Sequence, residues 1–83
     1  MTWTKNEIRQ ARKMPLIPIL VKKGYRLTKM PGENYRLDQY GDLVVKEHYW
    51  IWKKTGQAGN TIDFFISVEK LTFKEAMKTI MTA

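Results

Sequence analysis

A chain of 83 residues with no cysteine and one histidine, His48, has little besides apolar packing to hold it together. A domain this small buries only about 60% of its unfolded surface, and small folds commonly add disulfides or a metal to compensate. Neither is open here. A tetrahedral zinc site takes four soft or borderline ligands, and one imidazole with dispersed carboxylates does not supply them. The ten Trp, Tyr and Phe side chains are the main resource, each contributing about 2–3 kcal/mol when buried. One domain over residues 1–83, without metal or other cofactor, is the expectation.

The hydrophobic period divides the chain. Thr4 with Glu7 reads as a capping box opening a helix through about Lys13. Pro15 ends it, because a proline disfavours helical geometry in the residue before it. A second helix is expected over roughly Leu16 to Lys23, with Pro18 tolerated in its first turn and Gly24 as its left-handed cap. From Tyr25 the period becomes two. Strands are expected at Tyr25–Met30, Tyr35–Leu37, Leu43–Lys46 and Tyr49–Trp52, joined by short turns as an antiparallel meander. A Gly56–Gly59 turn then leads to a third helix capped by Asn60 or Thr61, and Thr72 with Glu75 opens a fourth. The fold class is therefore α+β: a small four-stranded antiparallel sheet flanked by two N-terminal and two C-terminal helices.

The formal net charge of +7 lies entirely in the first third. Residues 1–30 carry eight cations against Glu7, whereas residues 31–83 are balanced. An anionic partner follows, either a nucleic acid or an acidic protein face. No apolar run approaches the roughly 18–20 residues that cross a bilayer, so no membrane role is expected, and the lack of cysteine fits a cytoplasmic setting. Catalysis has little support: no cysteine nucleophile, no paired carboxylates in one apolar setting, and a His48 beside Glu47 in a polar turn.

Residues 49–65 place an aromatic strand, two lysines, a glycine-rich turn and a helix start in one span. The string Gly56-x-x-Gly59-Asn60-x-Ile62-Asp63-Phe64, followed by Leu71-x-Phe73-x-Glu75, resembles the second half of the zinc-binding domain of bacterial primases. The likeness extends over roughly residues 15–80. Trp52 and Thr55 stand where that family has two cysteines, and no Cys-x-x-His pair occurs near Asp38 to Gly41. The chain is also shorter than the family between Leu37 and Leu43. It thus resembles the metal-free branch, zinc-ribbon-like without zinc, at the front of toprim-containing, primase-like and relaxase-associated proteins of mobile elements. The resemblance implies a non-catalytic accessory module in DNA replication that presents single-stranded DNA or RNA template to a primase, polymerase, helicase or relaxase. It also implies that Trp52 and its neighbours fill the corner left by the ion.

Among the residues, Lys53 and Lys54 are the first choice for phosphate contacts, being charged, adjacent and beside a turn. Arg26, Lys29 and Arg36 on the first hairpin come second, and Lys22 and Lys23 extend the track. Trp50 and Trp52, two apart on one strand, share a face that is either core or a stacking platform. Tyr49 lies on the other face and stacks on a base if that face is open, each such contact being worth about 1–3 kcal/mol. The rival reading is a protein-docking module whose cations and aromatics meet an acidic face of a replication enzyme.

Overall fold

Two helices lead into the sheet, and the sequence punctuation sets where each one stops. A computed structural model describes residues 2–82. Lys5–Lys13 (α1) opens on the Thr4–Glu7 capping box and ends at Met14, before Pro15. Leu16–Lys22 (α2) carries Pro18 in its first turn. Gly24, at φ 90°, closes α2 in a Schellman arrangement. The Tyr25 amide donates to the Leu20 carbonyl and the Gly24 amide to that of Val21.

Five strands follow in meander order: Leu27–Met30 (β1), Asn34–Leu37 (β2), Leu43–Lys46 (β3), Tyr49–Trp52 (β4) and Gln57–Asn60 (β5). The α+β class and antiparallel sheet match the sequence reading, but the sheet has five strands rather than four. The extra strand lies in the span read as a Gly56–Gly59 turn. The turn is made instead by Lys53–Gly56, with the Gly56 amide returning to the Trp52 carbonyl, and Gln57–Asn60 pairs along all of β4. Of Gly56 and Gly59, Gly56 has positive φ (74°) and Gly59 does not. Gly59 is needed for clearance: a Cβ there would lie 2.5 Å from the Asp63 carboxylate.

That carboxylate belongs to the next helix start. Asn60 and Asp63 form a reciprocal capping box that launches Thr61–Asp63 (α3), which runs on as a π-helical turn over Phe64–Val68. Phe73–Met81 (α4) starts on the Thr72–Glu75 box and buries Ala76, Met77 and Ile80.

The core lies between the helices and one face of the sheet. Leu37, Leu43, Val45 and Trp50 meet Leu16, Leu20, Phe64, Phe65 and the α4 stripe there. Trp50, Phe64 and Phe65 form an edge-to-face run with centroids 5.2–5.9 Å apart, each such pair adding about 0.5–1.5 kcal/mol beyond area burial. Two hydrogen bonds fix the helices to the sheet end. Buried Thr61 donates its hydroxyl to the Met14 carbonyl at 2.6 Å, and the Leu16 amide donates to the Glu47 carbonyl at 2.8 Å. Among the described residues, no helix is long and apolar enough to cross a membrane.

Candidate nucleic-acid interface

Strand register decides which side chains face solvent. Leu43 opposes Trp52 and Val45 opposes Trp50 on the covered face, while Val44 opposes Ile51 and Lys46 opposes Tyr49 on the other. Among the described residues no helix covers that second face, and Ile51 is 46% and Tyr49 61% exposed. Arg36 lies on the same open face, directly across from Val44.

Tyr49 sits at the meeting point of several elements. The two-residue Glu47–His48 turn sets Lys46 opposite it and brings the His48 ring to 4.7 Å between centroids. The C-terminal turn of α1, held by the Thr61 and Leu16 bonds, brings Arg12 and Lys13 beside His48 and Tyr49 in one depression. Arg12 also borders a groove lined by Lys5, Ile8 and Arg9, residues that recur one turn apart on a single helix face. Tyr49 also borders a hollow on the open sheet face lined by Asn34, Val44, Lys46 and Ile51. Arg12 lines the first two of these depressions and Tyr49 the last two, so the three adjoin in series from Lys5 to Ile51.

The charge on that surface is largely uncommitted. Two ion pairs form among the described residues, Lys23–Glu69 and Arg36–Asp38, so Arg12, Lys13 and Lys46 have no carboxylate partner. The acidic groups nearby are Glu7, Glu47 and Asp63. Glu7 and Asp63 accept from the Thr4 and Asn60 amides at the two helix starts.

The residues singled out from sequence do not gather in one place. Trp50 is a correction: it is 3% exposed and its indole N–H donates to the Asn60 carbonyl at 2.8 Å. It is a core residue with no free ring face. Lys23 is a second correction. Its ammonium donates to Glu69 at 2.6 Å and lies 5.0 Å from the Phe65 centroid, so its charge is engaged within the protein. Lys22 is exposed at the end of α2, on the helical side. Lys53 and Lys54 are exposed in the β4–β5 turn, at the opposite end of β4 from Tyr49. Arg26 precedes edge strand β1, three strands from β4 and so roughly 14 Å away. Lys29, also on β1, shares the covered face by register but is exposed at its margin. Arg36 faces the open side, 3.7 Å from Asp38. Tyr49 alone joins aromatic exposure to neighbouring cations.

Arg12, Lys13, Lys46 and His48 were not singled out from the sequence. Lys46 was within reach, since a two-residue connection between the strands puts it opposite Tyr49. Arg12 and Lys13 were not, because contacts more than thirty positions apart in the chain bring α1 there.

At the far end of the sheet, the corner that the primase likeness would give to zinc is aromatic. Tyr40 and Trp52 meet edge to face at 5.3 Å, with Tyr25 at 6.2 Å from Tyr40. Among the described residues no three His, Cys, Asp or Glu side chains converge to hold a metal, so the residues present do not fit the ion. The Trp52 indole N–H is buried without a partner, a cost of about 1–3 kcal/mol. Beneath this corner the Tyr25 hydroxyl donates to Glu69 at 2.6 Å. Burial, then that hydrogen bond, push the phenol far above its usual pKa.

Against known proteins, no family model matches the chain, and no curated protein is significantly similar to it.

Proposed function

We propose that this chain is a non-catalytic module that binds single-stranded nucleic acid across the surface centred on Tyr49. The reading rests on one observation: an exposed tyrosine ring beside His48, bordered by Arg12, Lys13 and Lys46, none of them ion-paired among the described residues. A base stacks on Tyr49, phosphates follow the cations along α1, and the hollow at Val44 and Ile51 accepts a second base. Such contacts favour unpaired strands, whose bases are free to leave the stack, and read little sequence. The primase resemblance supports the same class. On that resemblance the module is an accessory presenting template to a primase, polymerase, helicase or relaxase, with the Tyr40–Trp52 contact in place of an ion.

The test is a titration with labelled single- and double-stranded oligonucleotides at two ionic strengths. Preference for the single strand is expected, with affinity falling as salt rises because neutralised phosphates release counterions. Tyr49→Ala should weaken single-strand binding by about 5- to 100-fold without lowering the melting temperature. Equal binding of duplex and single strand, or an unaffected Tyr49→Ala, counts against the reading.

A further inference from the structure

On the helical side of the molecule, away from the open sheet face, a second basic surface surrounds a half-open apolar hole. Trp3, Lys74, Lys78 and Thr82 line a half-open, largely apolar depression of about 340 Å³, within the size range of small binding sites, about 300–1,000 Å³. Lys74 and Lys78 stand one turn apart on α4 and share a helix face. Thr82 also borders a second depression between α2 and α4, lined by Ile19, Lys22, Lys23 and Thr79, so the two adjoin. Lys22, Lys74 and Lys78 form no ion pair among the described residues. The local carboxylates are committed: Glu69 to Lys23 and Tyr25, and Glu75 to the Thr72 amide.

We propose that this surface docks an acidic segment of a partner protein, with one apolar side chain in the Trp3 hole and flanking carboxylates on Lys22, Lys74 and Lys78. The walls choose between occupants. They are almost wholly apolar, and lysine side chains generally cover such surface with their stems while keeping the charged head in water. A nucleobase lodged there would leave its ring N–H and C=O groups without partners, a desolvation cost that an apolar side chain avoids. None of these residues lines the Tyr49 surface, so the inference does not depend on strand binding.

The experiment titrates the 83-residue chain with a short fluorescent peptide of Glu and Asp around one Phe, and with the same peptide bearing Ser instead. Saturable binding of the Phe peptide is expected, at least about tenfold tighter than the Ser peptide. Lys74→Glu with Lys78→Glu should remove that binding and leave oligonucleotide affinity within about twofold. Thr82→Phe, which fills the hole from its exposed wall, should reduce the Phe peptide to the level of the Ser peptide. The proposal is overturned by equal binding of the two peptides, by indifference to the α4 charge reversal, or by no saturation. Displacement of the peptide by an oligonucleotide that still binds the Tyr49→Ala chain would also overturn it, making the hole part of a strand site. Loss of oligonucleotide binding alone in Tyr49→Ala bears only on the strand reading.

Discussion

The two ends of strand β4 carry the same kinds of residue to different effect. At one end Trp52 leads into Lys53 and Lys54, adjacent in sequence and exposed, yet the aromatic there is turned inward against Tyr40. At the other end Tyr49 is turned outward, and its cations come from β3 across a tight turn and from α1, distant in sequence but held beside it in space. Runs of charge and aromatics along a chain show what is available. Strand parity and helix docking decide which of them meet. Each end is open to a separate perturbation.

The largest effect is expected in the core beside the Tyr49 end. Trp50→Ala removes a buried ring and its hydrogen bond to Asn60, costing about 3–5 kcal/mol. The whole stability of a domain this size is on the order of 4–12 kcal/mol, so urea unfolding should show a chain near or past its limit. Trp52→Ala should cost distinctly less, because Trp52 is only partly buried and its N–H is unpaired. An equal loss would show that the aromatic corner carries as much of the fold as the covered face.

Charge reversal compares the ends as binding surfaces. Arg12→Glu with Lys13→Glu should lower single-strand affinity at least about 30-fold, roughly 2 kcal/mol, whereas Lys53→Glu with Lys54→Glu should lower it less than about fivefold. Circular dichroism must accompany the first pair, since cations at a helix C-terminus add about 0.3–1 kcal/mol each to stability. The reverse ranking would move the interface to the β4–β5 turn.

Comparing Tyr25→Phe with the parent at alkaline pH addresses the Trp52 end. The Tyr25 phenol is raised in the folded state by burial and by donating to Glu69. Its contribution is therefore complete below the unfolded tyrosine pKa, about 10, and declines as pH rises above that value. Tyr25→Phe should be less stable than the parent at neutral pH, with a shallower alkaline loss. Parallel curves would mean that the Tyr25–Glu69 bond does not hold this corner. The smallest change is expected from Trp52→Phe, within about 1 kcal/mol of the parent, because it deletes a buried donor that has no partner.

Much of the fold was legible because its signals are local. The Thr4–Glu7 and Thr72–Glu75 boxes, Pro15, Gly24 and the alternation through β3 and β4 all act within a few residues. The fifth strand was hidden by Gly59, whose role is to clear Asp63 rather than to turn the chain. The candidate site was half legible. Tyr49 follows from parity and Lys46 from turn length, but Arg12 and Lys13 depend on hydrogen bonds joining residue 14 to residue 61 and residue 16 to residue 47. Trp50 stayed open between core and platform, and Lys23 was misread, for a related reason: the Asn60 carbonyl and the Glu69 carboxylate that engage them are brought in by tertiary packing.

The central claim, that strands are held at the Tyr49 end, is tested most directly by the salt dependence of oligonucleotide affinity. Log affinity against log salt should be linear, with a slope near −0.7 per neutralised phosphate on a single strand. Arg12→Glu with Lys13→Glu should reduce the magnitude of that slope by about 1.4, while Lys53→Glu with Lys54→Glu leaves it unchanged. A slope that only the second pair alters, or an affinity indifferent to salt in the parent chain, would contradict the account.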